Sequence, residues 1–129
     1  MNGKRLLDTN IIVAFLTEDQ QVQERLDAVP ELLVPMVVMG ELYYGAAHSG
    51  RPLQNVAMIE TFARSCVLLG IDVETAQLYG SLKAEQRTKG RPLPENDLWI
   101  AACARQHDLV LVTRDRHFDQ VAGLSTEVW

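Results

Sequence analysis

Cysteine is nearly absent from this chain: Cys66 and Cys103 are the only two in 129 residues. They form no CxxC pair and sit in apolar surroundings, which excludes a disulfide framework and favours two buried, reduced thiols in a cytoplasmic protein. Long apolar runs are missing too. None approaches the roughly 18 residues that a bilayer-spanning helix needs, so no membrane association is expected. No secretory signal is visible either, because Lys4 and Arg5 are followed by only Leu6 and Leu7 before Asp8. Basic residues are outnumbered, 12 Lys and Arg against 17 Asp and Glu, for a net charge of -5. That balance argues against a broad basic surface that coats nucleic acid. Repeats, low-complexity tracts and linkers are absent, so a single domain over 1–129 is expected.

What is present is enough for a real core. Hydrophobic residues make up 47%, and a chain of this size buries roughly two-thirds of its unfolded surface. Short apolar runs alternate with stretches of helical spacing. Arg5-Leu6-Leu7, Leu32-Leu33-Val34, Val67 to Ile71 and Leu109 to Val112 read as strands, with Thr126 to Trp129 as a last edge strand. Helices are expected over Ile11 to about Thr17, capped by Thr9 or Asn10, and over Gln20 to Val29, Val37 to Gly45 and Leu53 to Ala63. A further helix runs from an Asp72 cap to about Lys89, closed by Gly90 in the left-handed conformation. Another starts at Asn96-Asp97, and His117 to Val121 forms a turn or two. Strands alternating with helices imply a mostly parallel sheet covered by helices on both faces.

Four acids stand out. Asp8 and Asp115 each follow a strand that should be interior, and parallel sheets place their chemistry outside the carboxyl ends of strands. Glu41 lies on or beside an apolar helical stripe, where Val37, Glu41 and Tyr44 share one spacing, and Asp97 opens an apolar helix. A lone carboxylate at either place is costly. Asp8 or Asp115 alone reads as a helix-capping or strand-end aspartate. Together the four acids repel one another unless protons or a cation hold them. Oxygen donors alone select a hard divalent ion, Mg2+ or Mn2+, which suits phosphodiester hydrolysis. The net negative charge is compatible with that chemistry, since metal-holding carboxylates contribute to it.

The stretches LLDTN (6–10), GELYYGA (40–46), KGRPLPENDLWIAACA (89–104) and LVLVTRDRHFDQVAGL (109–124) resemble the PIN-domain ribonucleases of the VapC type, toxins of type II toxin–antitoxin pairs. NDLWIAA followed by a strand and T-x-D is the specific part. The family's acids fall on Asp8, Glu41, Asp97 and Asp115, its hydroxyl residue on Thr113, and a common polar position on Asn10. The resemblance implies an α/β/α sandwich with a parallel sheet, dependence on Mg2+ or Mn2+, cleavage of RNA of the tRNA or ribosomal class, a homodimer and a cognate antitoxin. On physical grounds Asp8, Asp97 and Asp115 would hold the metal, directly or through water. Glu41 would position or deprotonate the attacking water, and Thr113 would fix a water or a carboxylate.

Two other functions compete with this one. An aspartyl phosphatase of the Asp-x-Asp kind needs a second acid where Asn10 stands, and leaves Glu41 idle. A PIN-like module that binds RNA or a partner without cutting needs no complete acid set. Arg114 and Arg116 are candidate phosphate contacts or surface ion pairs, and Arg87, Lys89 and Arg91 are a weaker basic group. His48, His107 and His117 lack metal-ligand spacing and read as structural or surface residues. Trp99 and the Tyr43–Tyr44 pair read as core or interface.

Overall fold

The computed structural model describes residues 4–129. Five strands run in the order β1 (Lys4–Leu7), β2 (Glu31–Pro35), β3 (Val67–Leu69), β4 (Val110–Val112) and β5 (Thr126–Glu127). Six helices separate them: α1 (Thr9–Leu16), α2 (Gln20–Asp27), α3 (Met36–Ala47), α4 (Pro52–Ala63), α5 (Val73–Thr88) and α6 (Glu95–Gln106), with a 3-10 turn at Arg116–Gln120. All pairings are parallel, in the order β3-β2-β1-β4-β5.

Sequence explains why the sheet is sandwiched. Neighbouring strand residues point to opposite faces. Leu6 and Leu7, Leu33 and Val34, and Leu111 and Val112 are nevertheless all buried. Both faces of the three inner strands are therefore covered, as a three-layer α/β/α arrangement requires. The edge strand β3 differs: Val67 and Leu68 are exposed. Helix α6 is the most deeply set, with Leu98 and the run Ile100 to Ala104 all buried. Its run of alanines lets the helix backbone lie close to its neighbours.

β1 is the switch point of the sheet. From it the chain moves outward one way to β2 and β3, and the other way to β4 and β5. Such a reversal opens a crevice at the carboxyl ends of the two central strands. Asp8 ends β1, and its amide donates to the Val112 carbonyl at 3.0 Å, so the ends of β1 and β4 lie side by side.

Several local expectations need correction. The cap of α1 is Asp8 itself, not Thr9 or Asn10: its side chain accepts from the Thr9 amide, and the helix starts at Thr9. Strand and helix are thus separated by one residue. Tyr44 is 66% exposed and Tyr43 38%. The buried stripe of α3 is Val38, Met39, Leu42 and Ala46, so Tyr44 does not share a buried face with Val37 and Glu41. Trp99 stacks on Tyr79 with ring centroids 3.9 Å apart, only half-buried. The Asp72 cap forms a full capping box with Thr75, and Gly90 has φ +70°. Past that turn, Gln86 Nε2 donates to the Arg91 carbonyl at 3.0 Å and holds the loop that leads into α6.

Candidate active site

A cleft of about 670 Å³ opens at the switch point. Asp8, Glu41, Asp97 and Asp115 all line it, with Thr9, Asn10, Val13 and the loop residues Pro94, Glu95 and Asn96. Four elements deliver the acids. β1 ends in Asp8, α3 carries Glu41 beside its buried stripe, α6 carries Asp97 in its first turn, and Asp115 follows β4. At the start of α6 a carboxylate is favoured by the exposed amides and the helix dipole. This is the local reason that position tolerates an acid.

Hydroxyl groups hold one side of the cleft. Thr113 is buried, and its Oγ1 donates to Asp8 Oδ2 at 2.7 Å. The same Oγ1 accepts from the Asp115 amide at 3.0 Å. Thr9 Oγ1 donates to Glu41 Oε1 at 2.8 Å. Asn10 is fully engaged as well: Nδ2 donates to Asp8 Oδ2 at 3.4 Å, and Oδ1 accepts from the Arg114 amide at 3.2 Å. The loop after β4 is thereby tied to the start of α1.

The other side is held by a residue that sequence reading assigned to structure or surface. His117 Nε2 lies 2.5 Å from Asp97 Oδ2, and its Nδ1 lies 2.6 Å from Asp115 Oδ1. A neutral imidazole donates through one nitrogen only. Two such contacts therefore need one proton more than neutral imidazole and two carboxylates carry. For one pair, Asp97 and Asp115, a histidine offsets part of the crowding expected of four bare acids. Its spacing from Asp97 gave no sign of this. The legible clue was its place two residues after Asp115, at the start of a tight turn.

Burial pushes the Asp8 carboxyl above the usual carboxylate range. The Glu41 and Asp115 charges push the same way, and the Thr113 hydroxyl and Thr9 amide oppose them. Burial also raises Asp97, with His117 pulling it down. Arg114 does not face the cleft as a free cation. Its guanidinium pairs with Asp19 at 2.9 Å and donates to the Trp129 carbonyl at 2.7 Å. Arg116 is exposed. Cys103 is buried with its thiol pushed up to about 11, and Cys66 is half-buried; both are free.

The PIN domain family model matches residues 5–124. The chain belongs to this family, and to its VapC type. It is 36% identical to the ribonuclease VapC2 of Haemophilus influenzae over 98% of both chains. It is 37% identical to a tRNA(fMet)-specific endonuclease VapC of Shigella flexneri, again over 98% of both. The VapBC structure of Salmonella typhimurium, bound to DNA, superposes on the whole chain and 99% of its counterpart, with a TM-score of 0.92 at 31% identity. The PIN fold agrees with the three-layer sandwich described above.

Proposed function

We propose that this PIN domain is an endoribonuclease, the toxin half of a type II toxin–antitoxin pair, and that it hydrolyses RNA phosphodiester bonds at the acidic cleft with Mg2+ or Mn2+. The observation that carries the proposal is the convergence of four carboxylates from four elements on one cleft at the sheet's switch point. Full-length relatives named as ribonucleases and endonucleases support it.

The donor set fits a hard divalent ion. Carboxylate oxygens dominate, and one oxygen each from Asp97 and Asp115 lie within 4.8 Å of each other. Asp8, Asp97 and Asp115 are the residues proposed to hold it. When bound, such an ion lowers the pKa of water and neutralises phosphate charge. The protein's own groups do the rest. The Thr113 hydroxyl holds Asp8 Oδ2 and the Thr9 amide holds Oδ1, which together fix the orientation of that carboxylate at the cleft. Glu41 is held by Thr9 through Oε1 alone, so Oε2 remains to orient the attacking water or take its proton.

An aspartyl phosphatase is disfavoured by Asn10, whose amide is bound on both sides and has no proton to give a leaving group. The proposed partners are RNA of the tRNA or ribosomal class, a cognate antitoxin and a second copy of the chain. Among the described residues, no helix is long and apolar enough to cross a membrane. Incubating the purified protein with RNA and with a phosphomonoester, in Mn2+ or in EDTA, tests the reading. RNA cleavage only with metal is expected. Release of phosphate from the monoester, or RNA binding without cleavage, would overturn it.

A further inference from the structure

We infer that His117 is a positioning residue for the divalent-ion site: it fixes the separation of Asp97 and Asp115 without ligating the ion. The inference rests on the proposed metal site and goes beyond it, since it concerns a residue outside the acid set.

The geometry is specific. His117 touches both acids, one through each ring nitrogen, at 2.5 and 2.6 Å. Asp97 comes from the first turn of α6 and Asp115 from the loop after β4, so nothing covalent fixes their distance. The imidazole spans the gap as a rigid spacer. Its own place is fixed by the short helical turn that starts at Arg116 and by Phe118, whose ring is fully buried and lies 4.9 Å from the imidazole centroid. Asp97 and Asp115 line the cleft, whereas His117 is not among its lining residues. A group that contacts two ligands but not the cavity acts on the ion through those ligands. Outer partners of this kind set ligand orientation, and their loss typically costs about 10- to 100-fold in metal affinity.

Three features argue against direct ligation. Both nitrogens already face carboxylate oxygens at hydrogen-bond distance. The ring is outside the cleft lining. A hard ion prefers the oxygens that are already there.

The test uses the full chain and Mn2+ as probe. Binding is followed by the loss of the free aqueous Mn2+ spin-resonance signal, for the parent, His117→Ala and His117→Gln. Thermal melts in EDTA first verify that each variant is folded. Affinity should fall about 10- to 100-fold in His117→Ala. His117→Gln, which reaches one carboxylate, should fall less. Added imidazole should restore part of the loss in His117→Ala, which a merely structural defect would not allow. The pulsed spin-resonance spectrum of the parent complex should show no nitrogen coupling that disappears in His117→Ala. Such a coupling would make His117 a ligand and overturn the inference. Unchanged affinity in folded His117→Ala would overturn it as well. A parent protein that fails to bind Mn2+ would sink the metal site itself, and this inference with it.

Discussion

The two walls of the cleft solve the same problem with different chemistry. On one wall, Asp8 and Glu41 are each held by a threonine hydroxyl. On the other, Asp97 and Asp115 share one histidine. A hydroxyl fixes a carboxylate's orientation but carries no charge, so the Asp8 wall keeps its full negative potential and its desolvation cost. An imidazole that contacts two carboxylates pulls the Asp97 carboxyl down, so part of the repulsion and burial cost on the opposite wall is offset. Acids gathered at one sheet edge need not all wait for a cation. One pair is compensated from within, and the most buried acid is not.

The largest test breaks both walls. Asp8→Asn and Asp97→Asn keep shape and hydrogen-bonding capacity but remove charge, and Asn remains a good cap at position 8. If the ion supplies several kcal/mol of transition-state stabilisation, each change should lower RNA cleavage about a thousandfold or more. Circular dichroism should remain that of the parent. Cleavage at the parental rate by either variant would remove that acid from the site.

A second test asks whether the walls act together. An ion bound only by the native state adds about 2.7 kcal/mol at a hundredfold excess over Kd. For a domain of this size that is on the order of 10 °C in Tm. Parent protein should melt higher in millimolar Mn2+ than in EDTA, and Asp8→Asn and Asp97→Asn should lose most of the difference. A parental Tm indifferent to Mn2+, under conditions of active RNA cleavage, would restrict metal binding to the substrate complex.

The third test separates the walls by pH. Asp8 and Asp97 both titrate above the unfolded value of 3.8 in the folded protein. Below that pH each is protonated in both states and imposes no cost. As pH rises through the raised folded values, the native state must ionise a buried group, so stability falls. In EDTA, Asp8→Asn should therefore be more stable than the parent at neutral pH, with the gain vanishing near pH 4. The gain from Asp97→Asn should be smaller, because His117 already offsets part of the cost and is left with one partner. Chemical denaturation of the three proteins across pH checks the order. An Asp97→Asn gain exceeding that of Asp8→Asn would mean that the histidine does not compensate its wall.

Much of this architecture was legible because its signals are local. A strand of buried leucines ending in Asp8, the Asp72 cap and the turn at Gly90 each depend on a few neighbouring residues. The acids were legible because a carboxylate at a strand end or beside an apolar stripe is locally anomalous. His117 was not anomalous. An exposed-looking histidine between Arg116 and Phe118 has an ordinary explanation, and its function as a spacer exists only once α6 and the loop after β4 are side by side. The cap of α1 was misread for the opposite reason. Thr9 and Asn10 are good capping residues, but Asp8 is as good and comes first, and the two that follow turn their side chains to Glu41 and to the loop after β4.

The smallest effects lie within the hydroxyl-held wall. Thr113 is buried, and its hydroxyl both donates to Asp8 and accepts from the Asp115 amide. Thr113→Val is nearly isosteric but can do neither. It leaves a buried carboxylate oxygen with only the longer Asn10 contact, and an amide without its acceptor. Hydrogen bonds to charged groups are worth about 1.5–3 kcal/mol, so a loss of about 2 kcal/mol is expected at neutral pH. The change should also raise the Asp8 carboxyl further and weaken Mn2+ binding. Thr9→Val removes the corresponding bond to Glu41, but Thr9 and Glu41 are only half-buried at the cleft mouth, where water replaces the hydroxyl. Its cost should stay below about 1 kcal/mol. Urea unfolding of both variants in EDTA gives the two numbers directly. If Thr9→Val costs as much as Thr113→Val, then Glu41 is as dry as Asp8, and the gradient of burial across this wall is not what distinguishes the two threonines.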